Sequence, residues 1–363
     1  MTLQILGFGT AVPPQTMTQE DAARQAVSLL AGSGSRTAPI PALYRRAGVQ
    51  KRHLVLLESS TDGARARQSF YQPARDAGDR GPSTAQRMQR YESDAPCLAA
   101  EAARAALSDA GVEASQITHL VTVGCSGFSA PGVDIRLIED LGLPRHAART
   151  HAGFMGCHGA LNGLRVAGGF ASSDPQACVL VCAVELCSLH HQYTCDAQQL
   201  VANSLFSDGA AAVVGRGGEP AAGPWQIVAH RSALVPGTSD LMSWRIGDHG
   251  FVMTLSPRVP EVIREMLGPW LDAWLGEHGL TVEQIRAWAV HPGGPKILTA
   301  CAEAAGFDPT LLRPSQDVLK EFGNMSSPTV VFILQRLRAR PDTLPCVVLA
   351  FGPGLTIEAA LIR

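Results

Sequence analysis

The chain of 363 residues is 46% hydrophobic and 17% charged, so it is long and apolar enough to bury a sizeable core. Its formal net charge of −2 includes no basic surplus, which argues against a nucleic-acid-binding function. The longest apolar run, CVLVCAVEL, is far shorter than the roughly 18–20 residues of a membrane helix, so we predict no membrane span.

The N-terminal stretch MTLQILGFGTAVPPQ has no charged segment followed by an apolar one, so we predict no signal peptide. Its glycines at 7–13 follow a short strand but lack the G-x-G-x-x-G spacing of a dinucleotide site. The nine cysteines are scattered over the chain, which is typical of free thiols in a reducing compartment. We therefore expect a cytoplasmic protein.

Residues 58–95 differ from the rest of the chain because they are polar and rich in Gly, Ser and Arg. The composition predicts a mobile surface loop over residues 58–82, followed by a helix after Pro82.

Beyond this segment, apolar helices alternate with short strand-like runs, which predicts an α/β fold. Gly111 is a stop signal for the first of these helices, and Thr281 with Gln284 has the spacing of a capping box. Helices are predicted over 96–110, 158–172 and 260–278, and strands over 118–123 and 177–184.

The chain also contains an internal repeat. QITHLVTV begins at Gln116 and QIRAWAVH at Gln284, while CVLVCA begins at Cys178 and CVVLAF at Cys346, so both pairs are 168 residues apart. A constant offset predicts two halves of similar topology, residues 1–218 and 219–363, joined by a linker near 215–224. Ligand sites tend to lie at such interfaces.

Cys157 stands out in the stretch FMGCHGALNG, between a Gly turn and a predicted helix. The free N–H groups and the positive dipole end of a helix favour a thiolate, so the pattern predicts a low pKa for this cysteine. Cys157 is thus a candidate nucleophile whose neighbouring N–H groups could stabilise an oxyanion. The alternative is a small buried core cysteine.

A nucleophilic cysteine needs a base or hydrogen-bond donor supplied by the fold. His291 ends a predicted strand in WAVHPGGPKIL, and Asn324 lies in a Gly-led turn before a helix in EFGNMSSPTVV. The repeat puts Asn324 in the place that Gly156 has in the first half, which favours a shared site with Cys157. Alternatively, His291 bonds a nearby carbonyl and Asn324 is an N-cap.

The stretch CVLVCAVELCSLHHQYTC does not predict a zinc site. The stretch holds four cysteines and two histidines, but it contains no C-x-x-C pair and its first cysteines lie in a strand.

Five motifs together resemble the type III polyketide synthases of the bacterial type, a chalcone/stilbene-synthase-like branch of the thiolase superfamily. They are GFMGCHGALNGLRVA, SLFSDGAAAVV, HPGGPKIL, FGNMSSPTVVFIL and AFGPGLTIEAALI. The resemblance covers nearly the whole chain and departs mainly at residues 58–82. It implies a homodimer of subunits with the five-layered αβαβα thiolase fold, built from two duplicated halves.

The same resemblance implies roles for the three candidate residues. Cys157 would carry the acyl group. His291 and Asn324 would stabilise the thioester oxyanion and the enolate that decarboxylation of malonyl-CoA leaves. Neutral N–H donors stabilise that charge without quenching the carbanion. The substrates would be CoA thioesters, with no metal or organic cofactor.

Pocket positions follow from the family motifs one by one. Phe206 matches a gatekeeper phenylalanine, and Met253 stands where the family usually has a second Phe, which implies a softer gate. Cys187 and His190 match positions that shape the cavity, and His190 would narrow one wall. Ser126 and Ser326 are also implied pocket residues.

Three further matches concern the dimer and the CoA moiety. Ala130 stands where plant members carry a Met that reaches across the dimer, and a small residue there is similar to members with an acyl tunnel. Arg45, Arg46 and Lys296 match segments near the CoA phosphates, which Arg and Lys suit. The alternative for these three cations is ordinary solvated surface charge.

The favoured function is condensation of an acyl-CoA with several malonyl units, followed by cyclisation to pyrone or resorcinol products. The soft gate and Ala130 favour a medium or long acyl starter, whereas His190 favours a small starter or malonyl alone. Two further alternatives are a ketoacyl synthase III that condenses once on an acyl carrier protein, and a non-catalytic homologue that binds acyl-CoA.

Overall fold

A computed structural model describes residues 2–58, 67–217 and 225–363 of the chain. These residues form one nine-stranded sheet, two two-stranded sheets and ten α-helices. The strands are β1 (Leu3–Ala11), β2 (Thr16–Thr18), β3 (Lys51–His53), β4 (His119–Gly124), β5 (Ala148–Gly153), β6 (Cys178–Leu186), β7 (Asp208–Arg216), β8 (Gln226–Leu234), β9 (Met242–Gly247), β10 (Gly250–Leu255), β11 (Ala287–Val290), β12 (Cys346–Gly352) and β13 (Thr356–Ile362). The helices are α1 (Gln19–Leu29), α2 (Ile40–Arg46), α3 (Thr84–Ala110), α4 (Val133–Leu141), α5 (Gly159–Ser173), α6 (Ala197–Leu205), α7 (Val259–Glu277), α8 (Pro295–Ala305), α9 (Arg313–Phe322) and α10 (Thr329–Arg338).

The large sheet repeats one strand pattern twice. Its order is β11-β12-β13-β8-β1-β7-β6-β4-β5, so β8, β13, β12 and β11 correspond to β1, β7, β6 and β4. In both sets the first two pairings are antiparallel and the last is parallel. The predicted duplication is confirmed. The predicted boundary at 218/219 falls at residues 218–224, outside the described part, and stays a prediction.

Alternate residues of each central strand face different layers, as the period of a strand requires. In β12, Cys346, Val348 and Ala350 pack with α5 and α10, whereas Val347 and Leu349 pack with α7 and α8. The β6 strand divides in the same way between the α5 and α10 layer and a layer of α1 and α3. The five layers of the predicted αβαβα fold are therefore present, and α5 is buried between the two halves of the nine-stranded sheet.

Most predicted elements lie within one or two residues of the observed ones. The exception is the helix predicted over 96–110, which is the C-terminal part of α3, a single helix from Thr84 to Ala110. It begins with a capping box between Ser83 and Gln86 and continues through Pro96. It ends at Gly111, whose φ of +61° is the left-handed conformation expected after a helix.

Residues 67–82 form an irregular, mostly exposed segment, as the prediction of a surface loop expects, but two of its residues are buried; residues 59–66 lie outside the described chain. Tyr71 and Ala74 are both 4% exposed. The Tyr71 hydroxyl donates to the Ser188 carbonyl (2.8 Å), and the Ala74 N–H donates to the Leu29 carbonyl (2.8 Å). Composition indicated the polar surface segment but not these contacts, by which one aromatic and one small residue anchor it to the core.

Among the described residues, no helix combines the length and apolar character needed to cross a bilayer.

Candidate active site

Cys157 lies buried on the approach to the central helix α5. The chain leaves β5 and turns through Gly156, whose φ is +79°, into a single 3₁₀ turn over residues 156–158. A Cβ at position 156 would stand 2.6 Å from Cδ of Pro353, so both the backbone conformation and the close approach require glycine. The turn thus holds the thiol between the two halves of the fold.

His291 and Asn324 reach the same place from the second half. His291 directly follows β11, and its N–H donates to the Leu349 carbonyl of β12 (2.8 Å). Asn324 lies in the turn between α9 and α10. Helix α10 packs with α5 in the central layer. Both residues line one cavity of roughly 420 Å³ with Cys157. The tertiary structure therefore brings the three predicted residues together.

The orientation of the Asn324 carboxamide is set by its own turn. Its Oδ1 accepts the N–H of Ser326 (2.8 Å), a residue with a φ of +56°. The Nδ2 group is consequently free to donate toward Cys157, and a hydrogen bond from Asn324 lowers the pKa of that thiol. Asn324 thus presents a neutral donor beside the nucleophile.

His291 is a neutral imidazole in this environment. Burial is the main cause that lowers its pKa to about 3, and the neighbouring His158 lowers it further. Within the described chain, neither of its ring nitrogens has a hydrogen-bond partner, although both are buried. An unsatisfied buried polar group costs about 1–3 kcal/mol, and such groups are characteristic of functional sites. A substrate oxygen beside His291 would relieve that cost.

The predicted low pKa of Cys157 is wrong for this structure. Burial raises the pKa of the thiol to about 11, and this effect outweighs the hydrogen bonds from Ser326 and Asn324, which lower it. The sequence shows the nearby helix terminus but not the depth of burial, and loss of hydration disfavours a thiolate more than the donors favour it.

This pKa predicts how Cys157 reacts with iodoacetamide. Only the thiolate is alkylated, so the rate constant should rise about tenfold per pH unit from pH 6 to 10 with no plateau near neutrality. Intact-protein mass spectrometry at several pH values would measure it, with Cys157→Ala to subtract alkylation at other cysteines. A rate that levels off below pH 7.5 would contradict the raised pKa.

A second cavity, lined by more residues, adjoins the first. Phe206 and Met253, the predicted gate residues, line both cavities. Cys187 and His190 line the second one, as the pocket prediction expects. Phe206 and Met253 therefore stand between the thiol and a deeper chamber.

The His190 ring is fixed as part of the chamber wall. Its Nε2 donates to the Ser126 carbonyl (2.6 Å), and its Nδ1 accepts the N–H of Phe251 (2.9 Å). The ring stacks on Phe251 with centroids 4.2 Å apart and meets Trp244 edge-on. Trp244, which the sequence reasoning missed, donates its Nε1–H to the Cys125 carbonyl (2.8 Å). The only feature of the sequence that pointed to Trp244 was an aromatic residue in a short strand.

Three predicted pocket residues line neither of these cavities. Ser326 lies beside the Cys157 thiol. Ser126 is buried and donates its hydroxyl to Glu185 (2.6 Å). Ala130 is exposed at the surface of the subunit and borders neither cavity in the described part of the chain.

Glu185 is a second residue that the sequence reasoning missed. This buried carboxylate accepts the backbone N–H groups of Cys125 and Ser126 (2.9 Å each) and the Ser327 hydroxyl (2.8 Å). It joins the end of β4 to the turn before α10, next to Cys157 and Asn324. Its signal was visible, since it is the one charged residue in the apolar run CVLVCAVEL.

Arg52 is a third missed residue, and it braces the gate. Its guanidinium is buried and donates to the carbonyls of Asn203 (2.9 Å) and Phe206 (3.1 Å) at the end of α6, where a cation suits the helix dipole. The residue after Phe206 pairs with Asn324, because the Ser207 N–H donates to the Asn324 carbonyl (2.9 Å). One arginine thus supports both the gate and a candidate catalytic residue.

The three predicted CoA cations are exposed on two helix ends that lie next to each other. Arg45 and Arg46 are exposed at the end of α2, and Lys296 is exposed at the start of α8, directly before the cavity residue Ile297. Gly48 packs so closely on Pro295 that a Cβ would stand 2.8 Å from the proline ring. The α2 end and the α8 start therefore adjoin.

Across the described ranges, no group of three or more His, Cys, Asp or Glu residues could hold a metal ion. The chemistry available at the site is that of a thiol, an imidazole and a carboxamide.

Comparison with known proteins agrees with this geometry. The family model for chalcone and stilbene synthases, N-terminal domain, matches residues 2–220, and the model for the C-terminal domain matches residues 226–363. The chain is 35% identical to 1,3,6,8-tetrahydroxynaphthalene synthase of Streptomyces peucetius subsp. caesius, covering 98% of this chain and 91% of that protein. It is 31% identical to the alpha-pyrone synthesis polyketide synthase-like Pks18 of Mycobacterium tuberculosis, covering 98% and 90%.

A similar solved structure is PKS-I from the brown alga Ectocarpus siliculosus, with a TM-score of 0.92, 29% identity and coverage of 99% of this chain and 98% of that one. The C-terminal type III polyketide synthase domain of Steely1 from Dictyostelium is similar too, with a TM-score of 0.87, 26% identity and coverage of 100% and 99%. On the family match, the fold and these relatives, the chain belongs to the chalcone and stilbene synthase family of type III polyketide synthases, which are acyl-transferring condensing enzymes acting on CoA thioesters.

Proposed function

We propose that this chain loads an acyl-CoA starter on Cys157, extends it repeatedly with malonyl-CoA and cyclises the product to a pyrone or resorcinol-type ring. The observation that carries the proposal is the single cavity lined by Cys157, His291 and Asn324, with a deeper chamber beyond the gate. The pairing of these two cavities also argues against a non-catalytic acyl-CoA-binding role, because a binder has no need of an aligned thiol and two neutral donors.

Loading follows from the arrangement of the three residues. Cys157 first gives up its thiol proton, which balances the proton that the departing CoA sulfur takes up. The Cys157 sulfur then attacks the acyl-CoA carbonyl, and the negative charge moves to the carbonyl oxygen. N–H donors from His291 and Asn324 stabilise that oxyanion. Collapse of the intermediate breaks the bond to the CoA sulfur, which leaves as a thiol after taking up a proton, and the acyl group remains on Cys157.

Extension uses the same donors. Loss of CO2 from malonyl-CoA moves the electron pair of the broken bond onto the thioester as an enolate, which the two N–H groups stabilise. The enolate carbon then attacks the acyl carbonyl on Cys157 and releases the Cys157 thiolate. The chain, longer by two carbons, is now on CoA and can be loaded again.

A medium or long acyl starter is the favoured substrate, because much of the chamber wall beyond the gate is aliphatic. A small starter, or malonyl alone, is the second candidate. It is favoured by Trp244 and His190, whose rings occupy the near part of the chamber beside the gate.

A homodimer is supported by an exposed apolar patch formed by Phe128, Phe154 and Met155, each about two-fifths exposed. The patch adjoins β5, the last strand of the large sheet, whose outer edge has no neighbouring strand in the described chain. Cytoplasmic location is supported by the free thiol state of all nine cysteines.

Product analysis tests the function. Purified protein would receive malonyl-CoA with starters from acetyl-CoA to stearoyl-CoA, without a carrier protein, and products would be identified by mass spectrometry beside Cys157→Ala. Cys157-dependent pyrones or resorcinols support the proposal. A product that forms only with an acyl carrier protein would instead indicate a ketoacyl synthase III, and no Cys157-dependent product with either donor would overturn the proposal.

The CoA contacts make a separate prediction. Lys296→Glu should raise the KM for malonyl-CoA about 3- to 10-fold with little change in kcat, because the exposed cation attracts the CoA phosphates without touching the reacting atoms. The effect should shrink at high salt. Arg104→Glu, an exposed charge reversal on α3, is the matched control. Equal effects of the two substitutions would refute a local role for Lys296.

A further inference from the structure

The far wall of the second cavity has a different chemistry from its near wall. The near wall, beside the gate, is aromatic and polar, with His190, Trp244 and Phe251. The far wall is formed by α1 and the segment after β3, and its aliphatic members are Met17, Ala22, Ala26, Leu29, Leu54 and Leu56. Most of these belong to the buried cluster that lies outside the N-terminal half of the sheet.

We propose that this far wall is the binding site for the aliphatic tail of the acyl starter, and that Ala22 and Ala26 of α1 set the longest tail the enzyme accepts. The inference rests on the proposed function. It assigns the tail to a chamber inside one subunit, between α1 and the lining residues Leu54, Leu56, Gln68 and Tyr71, rather than to a route past Ala130.

Chemistry favours an alkyl chain as the occupant. Burial of each methylene contributes about 0.8 kcal/mol, so an aliphatic wall recognises a tail in proportion to its length. A polyketide intermediate carries a carbonyl on every second carbon. Gln25, Gln68 and Tyr71 are the polar members of this wall, and its leucine and alanine side chains would leave the other oxygens without partners. The polar near wall suits the oxygen-bearing portion, and the aliphatic far wall suits the tail.

Helix geometry places the two alanines side by side on the chamber wall. Ala22 and Ala26 are four residues apart, so their methyl groups lie on the same face of α1. Larger side chains there would project into the chamber. Ala23, on the same helix, is equally buried but does not line the cavity.

The far end also lies close to the surface in the part of the chain that the structure describes. Met17, Gln25 and Gln68 line both the chamber and an outer depression bounded by Arg24 and Ser28. The segment carrying Gln68 and Tyr71 is held in place by a hydrogen bond from the buried Arg87 to the Tyr71 hydroxyl (3.0 Å). This places the 67–82 segment, which departs from the family motifs, as one side of the proposed tail site.

The test compares Ala22→Leu and Ala26→Leu with Ala23→Leu in the full-length enzyme. Equimolar acyl-CoAs from acetyl to stearoyl compete for Cys157, and intact-protein mass spectrometry reads the acyl-enzyme directly, before any extension. Both lining variants should lose preference for the longest accepted starters about tenfold or more and keep loading of acetyl-CoA. Ala23→Leu should lower the melting temperature without changing the preference. Leu29→Ala, which enlarges the chamber, should move the optimum to longer tails.

The outcomes separate this inference from the function. If the wild type loads long tails but the α1 variants keep the same preference, the tail site is wrong and the synthase stands. If Ala130→Met alone removes long-tail loading, the tail lies at the subunit surface and the inference fails. A wild type that loads only short starters overturns the inference as well, and no acyl-enzyme from any starter overturns both proposals.

Discussion

Cys157→Ala should remove product formation by at least about 10³-fold and abolish the acyl-enzyme adduct, the largest effect expected of any single change in this chain. The thiol is the only group of the site that can form the covalent thioester, whereas His291 and Asn324 offer only N–H donors. Neutral donors cannot replace a nucleophile, so the residual rate should come from slow transfer in solution.

Product formation and the mass shift on acyl-CoA loading would be measured for this variant beside Cys97→Ala. Cys97 is exposed on α3, away from both cavities, and its removal should leave the adduct and the rate unchanged. An acyl adduct that persists in Cys157→Ala at full stoichiometry would show that another cysteine is the nucleophile, and would refute the assignment of Cys157.

Asn324→Asp should lower kcat about 10²- to 10³-fold, the loss expected when one donor to a developing oxyanion is removed. The aspartate can still accept the Ser326 N–H through one oxygen, so the turn should survive the change. Its other oxygen would replace the Nδ2 donor beside Cys157. At neutral pH that oxygen would be anionic and would oppose both the oxyanion and the enolate.

This substitution also predicts an unusual pH profile. Burial raises the pKa of a carboxyl group, and a protonated carboxyl can donate a hydrogen bond again. The residual activity of Asn324→Asp should therefore increase, relative to wild type, as the pH falls, whereas Asn324→Ala should show no such recovery. Rates of malonyl-CoA decarboxylation and of condensation over pH 5–8 would measure this. A kcat within threefold of wild type at neutral pH would show that Asn324 is not an oxyanion donor.

Local patterns in the sequence predicted the elements and the reacting groups well. The Gly156 turn, the end of the strand before His291 and the Gly-led turn at Asn324 are all short-range signals, since each depends on a few neighbouring residues. The 168-residue offset added one long-range fact, the duplication, and from it followed the expectation that the three residues meet. The pairing of β4 with β6, and of β11 with β12, confirms that duplication.

Segments whose conformation depends on distant contacts were predicted poorly. Residues 67–82 have the composition of a mobile loop, yet Tyr71 and Ala74 are anchored by Ser188 and Leu29. Arg52 has no motif of its own, and its role arises only because the end of α6 folds over it. The residues that Tyr71, Ala74 and Arg52 contact cannot be inferred from sequence spacing.

By itself, the sequence determined the fold class, the duplicated halves and the identity of the thiol, imidazole and carboxamide, because these are written in short motifs and in a constant repeat. Only the tertiary structure decided the protonation of the site and the shape of the chamber. The pKa of Cys157 depends on how completely the packed layers exclude water, and the chamber depends on which side chains of α1, residues 54–56, residues 68–71 and β10 face one another. Burial and cavity shape are sums over residues far apart in the chain, so no local pattern could state them.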